Sequence, residues 1–121
     1  ISQNWKKYPA LIQDSSLVTK IIDIEKAING RTYYYIPKEK VLPFAGQIKT
    51  GDIILITTKK KGLDTAHVGI AIENEGQVYL LHASVSDKKV SITTETLPDY
   101  LQRITSHSGI MIGRLINFKS N

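Results

Sequence analysis

The chain has no cysteine among its 121 residues. That absence excludes disulfides, thiolate metal sites and a cysteine nucleophile supplied by these residues. Long apolar runs are missing too: none approaches the roughly 20 residues that a helix needs to cross a bilayer. The sequence also contains no glycine-rich phosphate loop and no nucleophile-elbow serine. We therefore predict a chain without a membrane span and without a complete nucleophilic or nucleotide-binding motif of its own.

Positive charge is in moderate excess, with a net charge of +5 and a pI near 9.4. The basic residues are scattered, and their one run, Lys59–Lys61, stands beside Gly62 and is typical of a solvated turn. Single-stranded nucleic acid is bound where aromatic and basic residues alternate along a groove, and only Arg31–Lys38 comes near that pattern. We predict no nucleic-acid partner.

Apolar periodicity predicts an α+β protein with a mainly antiparallel, barrel-like sheet of about five strands. A helix over Ser16–Asn29 precedes the sheet, and a short helix is inserted after Thr96. The chain has the length of one domain. Within it we expect a helical lead-in with a tyrosine-rich extended segment over 1–44, and a sheet-forming part over 45–121.

Two of the three histidines lie on a predicted β-hairpin that covers residues 66–84. A two-residue turn at Glu75-Gly76 would pair Asn74 with Gln77. His67 would then lie opposite Ser84, and His82 opposite Gly69. Both imidazoles would project from one face as diagonal neighbours, roughly 7–8 Å apart at Cβ. A slip of one residue would separate them, since alternate residues face opposite sides.

An imidazole beside a second polar side chain can act as a base with an orienting partner. Ser84 is the nearest hydroxyl, but a flat strand does not expose and activate a serine. The three histidines lack the close spacing of metal ligands, so we predict no metal site. Asp64 and Asp87 could be offered as paired carboxylates, but nothing in the sequence sets their separation. From the residues alone, either histidine is as readily a core residue as a catalyst.

The segments HVGIAI (67–72), LLHAS (80–84) and GDIILIT (51–57) resemble the NlpC-like, papain-related cysteine peptidases of the cell wall. Flanking segments, YYIPKEKV (34–41), KTGDIILITTKKKGLDTAHVGIAI (49–72) and HSGIMIGRL (107–115), are similar to the family described as N-acetylmuramoyl-L-alanine amidase-like. The similarity covers nearly the whole chain. It implies a papain-like, NlpC-type fold.

The resemblance implies that His67 is the general base and His82 the orienting residue. It implies weaker roles in substrate contact for Asp64, Tyr35 and Ser84. Related proteins cleave the amide between N-acetylmuramic acid and L-alanine in peptidoglycan fragments without a cofactor. We expect His107, in a loop, to be structural or solvated.

The family's nucleophilic cysteine lies at a helix N-terminus upstream of the matching segments, where helix amides and a nearby imidazolium favour the thiolate. We therefore expect this chain to be the C-terminal portion of such an amidase, inactive alone and partnered by a missing N-terminal portion. The resemblance also implies a location in the cell envelope, periplasmic or secreted. A muropeptide-binding module of the same fold, without catalysis, is the alternative.

Overall fold

The computed structural model describes residues 1–117 and divides into two compact units, the first of which is Ile1–Tyr33. This unit contains a 3₁₀ helix (Ser2–Lys7) and two α-helices, α1 (Pro9–Gln13) and α2 (Ser16–Asn29). The prediction of α2 is therefore confirmed. At its start, Ser16 donates its backbone N–H and its hydroxyl to Oδ1 of Asp14, over 3.0 and 2.6 Å. The side chain before the helix thus satisfies one of its free N–H groups.

The second unit begins at Tyr34 and contains the whole sheet. Its elements are β1 (Ile36–Pro37), α3 (Lys38–Phe44), a 3₁₀ turn (Ala45–Gln47), β2 (Ile53–Thr58), β3 (Thr65–Asn74), β4 (Gln77–Ser84), β5 (Lys89–Ile92), α4 (Leu97–Arg103) and β6 (His107–Gly113). The inserted helix is the predicted one: the side chain of Thr96 accepts the backbone N–H of Asp99 and caps α4.

The sheet has six antiparallel strands in the order β1-β6-β2-β3-β4-β5. The prediction of about five strands was therefore one short, because the two-residue β1 is too brief to recognise by alternation. The barrel-like shape was also wrong: the sheet is open, with β1 and β5 at its two edges. Pro37 in β1 has no N–H to offer a further strand, and Lys89 places a charge on β5. Both features blunt sheet edges.

One face of the sheet forms the core together with α3 and α4. Side chains from β2, β3, β4 and β6 alternate inward, as the two-residue period of a strand requires. The buried cluster comprises Val41, Ile48, Ile54, Ile56, Ala71, Val78, Leu80, Leu97, Tyr100, Leu101 and Ile110. This cluster fixes β3 and β4, the two strands that carry His67 and His82.

The hairpin between β3 and β4 has the predicted two-residue turn. Glu75 and Gly76 both have positive φ, 51° and 79°, as a type I′ turn requires. Asn74 pairs with Gln77, and the ladder continues to Ile70 opposite Leu81. The predicted register is confirmed over this ladder, while the expected pairs of His67 and His82 lie beyond its end.

The other face of the sheet is apolar as well, and much of it is exposed. Val68 and Ile70 on β3 are 52% and 42% exposed, and Val90 and Ile92 on β5 are 70% and 51% exposed. In β2, Ile53 and Leu55 lie opposite Ile70 and Val68 on this face, while Ile54 and Ile56 point into the core. β2 is apolar on both faces, in agreement with its continuous Ile53–Ile56 run. No helix within residues 1–117 is long and apolar enough to cross a membrane.

Candidate active site

The two histidines of the hairpin are directly hydrogen-bonded to each other. Nε2 of His67 and Nδ1 of His82 lie 2.7 Å apart, and the ring centroids are 5.0 Å apart at an interplanar angle of 86°. The register of the hairpin, set by the Asn74–Gln77 turn, brings the rings to one face. The prediction that they lie side by side is confirmed.

His67 is half-buried and pairs across the sheet with Ile56 of β2. Its pKa is lowered, first by burial and then by the charge of His82. Both effects disfavour the imidazolium, since a buried cation loses solvation and a second cation nearby repels it. Both effects therefore favour the neutral ring, which is the form able to take up a proton.

Because Nε2 of His67 is engaged by His82, its other ring nitrogen, Nδ1, is the atom left for a reacting proton. His82 thereby fixes the orientation of the His67 ring. In chemical terms the pair combines a base with an orienting group. The arrangement can move a proton at Nδ1 of His67, but the 121 residues contain no cysteine to act as its nucleophile.

The pair opens onto a cleft of about 1070 Å³ within the second unit. Its walls come from β3, β4, β5, α4, the segments on either side of α4 and the start of β6. Among its lining residues are His67, His82, Ser84, Asp87, Tyr100, Arg103 and His107. A cleft of this size is large enough for a small peptide or sugar.

Three further residues were predicted to contact a substrate. Ser84 lines the cleft, but its Oγ already lies 3.1 Å from Oγ of Ser86 and accepts the backbone N–H of Asp87 over 3.2 Å. Tyr35, which is 56% exposed, and the exposed Asp64 are not among the cleft-lining residues. The substrate contacts of all three stay predictions.

His107 was expected in a loop but begins β6 and is only 5% exposed. Its ring packs on Tyr100 with centroids 5.6 Å apart, and its Nδ1 is buried with no hydrogen-bond partner among residues 1–117. Burial lowers the pKa of His107, and the charges of His67, Lys38 and Arg103 lower it further. A solvated His107 is therefore ruled out, because the pairing of Thr58 with His107 draws the residue into the sheet.

Tyr100 is the residue of the cleft that sequence reasoning assigned only to the apolar stripe of α4. It is 8% exposed, and its ring meets that of His82 at 5.6 Å and 81°. Its helical position three residues after Leu97 predicted burial but not this contact.

Within residues 1–117, no three His, Asp or Glu side chains are grouped as a metal site.

Comparison with known proteins adds to this geometry. A family model described as N-acetylmuramoyl-L-alanine amidase-like matches residues 1–110. A solved structure of an N-acetylmuramoyl-L-alanine amidase from Bacteroides uniformis is 37% identical, with a TM-score of 0.78 over 92% of this chain and 48% of that one. A Bacteroides fragilis structure named as a xylanase candidate is 38% identical, with a TM-score of 0.76 over 92% of this chain and 49% of that one.

A protein from Legionella pneumophila is more distant, at 24% identity with a TM-score of 0.55 over 82% of this chain and 40% of that one, and it shares the fold alone. A search of curated proteins found no match. The chain spans about half the length of the Bacteroides proteins, 48% and 49%.

Proposed function

Because the chain belongs to the N-acetylmuramoyl-L-alanine amidase-like family, we propose that it is the base-bearing part of a peptidoglycan amidase. The bond cleaved is the amide between N-acetylmuramic acid and L-alanine. The observation that carries the proposal is the 2.7 Å contact between the His67 and His82 rings at the cleft. The fold is then a papain-like, NlpC-type one in which 45–121 forms the sheet half of a single catalytic domain and 1–44 its lead-in.

The mechanism follows from the free nitrogen of His67. Nδ1 of His67 takes the proton of a cysteine thiol from a segment outside these residues, and the resulting thiolate attacks the amide carbonyl carbon. The C–N bond breaks as Nδ1 passes that proton to the departing amine of L-alanine. Water then attacks the thioester, His67 takes the proton from that water, and the cysteine sulfur leaves and receives that proton from His67. His82 keeps the His67 ring in place through both steps.

The missing nucleophile agrees with the length of the chain relative to its solved neighbours, of which it spans 48% and 49%. A cysteine on a helix N-terminus in the remaining half would have its thiolate favoured by the helix dipole. The chain alone is inactive in this proposal. No metal or organic cofactor takes part.

Substrate contacts are proposed at Ser84, Asp64 and Tyr35, the first of which lines the cleft. The substrates are muropeptides, and the protein acts in the cell envelope, as a periplasmic or secreted enzyme. No nucleic-acid partner is proposed.

The first experiment is to read the coding sequence upstream of Ile1. An in-frame cysteine about 100 residues before Ile1 supports the amidase, whereas an in-frame start codon close to Ile1 contradicts it.

In the longer protein, His67→Ala should lower kcat on a muropeptide by about 10²–10⁴-fold, the usual contribution of a general base. His67 is half-buried, so circular dichroism should show the variant folded. The exposed Gln102→Ala on α4 is the matched control and should keep wild-type turnover. Unchanged turnover in the His67 variant would rule out its role as the base.

A muropeptide-binding module is the second candidate, and the absence of cysteine from the chain favours it. Calorimetric titration of the 121-residue chain with a muropeptide tests this function directly. Saturable binding together with no cysteine upstream supports the module. Binding with an upstream cysteine supports the enzyme.

A further inference from the structure

A row of rings extends from the candidate base into α4. The His67 ring contacts His82, and His82 contacts Tyr100 edge to face with centroids 5.6 Å apart at 81°. The guanidinium carbon of Arg103 lies 5.3 Å from the centroid of Tyr100 on the same helix. The three rings therefore come from three different elements: His67 from β3, His82 from β4 and Tyr100 from α4.

The row ends in an ion pair that fixes Arg103. Nε of Arg103 donates to both oxygens of Glu95, over 2.9 and 3.1 Å, and Nη2 donates to Oε1 over 2.7 Å. Planar two-point pairing of this kind restricts the guanidinium more than a single contact does. Because Glu95 precedes α4 and Arg103 ends it, the pair also ties the two ends of the helix together.

The backbone holds Tyr100 independently of the histidines. Its N–H donates to the carbonyl of Thr96 over 2.9 Å in the first turn of α4, and its side chain is 8% exposed among core residues. His82 differs from Tyr100 in its surroundings. It pairs with Ser91 of β5, and its ring is half-buried at the cleft. Tyr100 is thus the fixed member of the contact and His82 the one that needs support.

Orientation matters here because a histidine ring can rotate about its side-chain bonds. Only the orientation that keeps Nδ1 of His82 beside Nε2 of His67 preserves the 2.7 Å contact. Edge-to-face packing favours one relative angle of two rings over others. A cation over a tyrosine ring restrains that ring in turn.

We propose that Tyr100 is the positioning residue for His82: it fixes the imidazole orientation that holds His67, and Arg103 with Glu95 fixes Tyr100. The catalytic meaning of this role rests on the proposed amidase function. The structural effect does not, since the histidine pair is present in this chain, which has no cysteine. Tyr100 acts through His82 and has no direct part in bond cleavage.

The test uses the 121-residue chain and nuclear magnetic resonance of the imidazole nitrogens. Long-range ¹H–¹⁵N correlation spectra report which ring nitrogens of His67 and His82 carry protons, and their change with pH gives a titration curve for each ring. Tyr100→Phe keeps the aromatic ring and should retain the wild-type spectra and curves. Tyr100→Leu removes the ring and should lose the single protonation pattern, with the His67 curve moving toward that of a free histidine.

Gln102→Ala, an exposed change on the same helix, is the control and should leave both curves unchanged. A folded Leu variant with wild-type spectra would overturn the proposal, because a merely structural tyrosine would leave the pair intact. If the Leu variant does not fold, Arg103→Ala decides, since that side chain is 58% exposed. Arg103→Ala should shift the His82 signals in the same direction as Tyr100→Leu, and no shift there would reject the proposal.

The outcome separates this inference from the proposed function. Altered imidazole spectra in Tyr100→Leu support the positioning role even if no upstream cysteine exists. Turnover lost in His67→Ala but wild-type spectra in the Tyr100 variants would support the amidase and reject the positioning role.

Discussion

At the scale of single residues, Asp52 is the most constrained charge in the second unit. It is 2% exposed, and Nε and Nη2 of Arg114 each donate to one of its oxygens over 2.7 Å. The backbone N–H of Lys49 donates to Oδ2 over 2.8 Å. A buried carboxylate needs such partners, because an unpaired charge in the interior is costly. Arg114 also donates to the carbonyl of Gln47 and so fastens the end of β6 to the loop before β2.

We expect Asp52→Asn to lower the free energy of unfolding at pH 7 by about 1–3 kcal/mol, the cost of losing a charged hydrogen bond. Urea unfolding followed by circular dichroism measures this change. Combining it with Arg114→Gln in a double-mutant cycle isolates the coupling of the pair, expected at about 0.5–3 kcal/mol. Additive effects of the two substitutions would show that the pair contributes nothing.

Asp52 also predicts how stability depends on acid. The hydrogen bonds from Arg114 lower its pKa below 3.8, against the opposing effect of burial. A lowered folded-state pKa contributes stability that is complete above the unfolded value and is lost as pH falls through the folded value. The free energy of unfolding should therefore fall as the pH drops below about 4. Asp52→Asn should flatten that part of the plot of stability against pH. An identical slope in both proteins would contradict this assignment.

His107 and His67 should make stability depend on pH in a higher range than Asp52 does. Both pKa values are lowered, mainly by burial, and His107 also faces the positive charges of His67, Lys38, Arg103 and Lys60. As the pH falls, these histidines therefore take up protons in the unfolded chain before they do so in the folded one. Their contribution to the free energy of unfolding is complete above about pH 6.5 and is lost below it. Urea unfolding at pH 7.5 and pH 5.5 should show this loss, and His107→Gln should reduce it. If His107→Gln lost as much stability between pH 7.5 and pH 5.5 as the wild type, His107 would not contribute to this pH dependence.

At the scale of elements, the hairpin depends on close contact between β3 and β4 at Gly69. A Cβ at this position would lie 2.5 Å from Cδ1 of Leu80 and 2.8 Å from the carbonyl oxygen of Leu81. No open space is left beside Gly69, because the side chain of Leu80 fills it. The carbonyl of a paired strand cannot move aside as a flexible side chain can.

Gly69→Ala should therefore force β4 away from β3 and separate His82 from His67. We expect a loss of about 1–3 kcal/mol in the free energy of unfolding, as for other overpacked cores, together with loss of the imidazole contact in the ¹H–¹⁵N spectra. Gly46→Ala is the matched control, since its Cβ would meet nothing within 4 Å. A Gly69 variant with wild-type stability and an intact pair would show that the strands can adjust.

At the scale of the whole molecule, the core of the second unit is complete within itself. Every member of its buried cluster lies between Val41 and Ile110, and the partly buried residues packed on it extend only to Ile36 and Ile112. We therefore expect a fragment that begins at Tyr34 to fold and to keep the imidazole spectra of the full chain. Amide spectra of the fragment provide the measurement, and a collapsed or unfolded spectrum would refute the expectation.

Local pattern accounts for much of this structure. The period of α2, the two-residue turn at Glu75-Gly76, the cap at Thr96 and the shared face of His67 and His82 are all properties of short segments. They follow from backbone geometry that residues close in sequence determine together. The histidine pair could be predicted for that reason. The open edges of the sheet could not, because they depend on which strand does not find a partner.

What the sequence by itself determined is therefore the hairpin, its register and the two imidazoles on one side of it. Only the tertiary structure decided that β6 lies beside β2 and that α4 packs over β4, which brings His107 and Tyr100 to the same cleft. The physical reason is distance along the chain. His67 and His82 are joined by one tight turn, whereas Tyr100 and His107 reach them through strand order and core packing that no local pattern encodes.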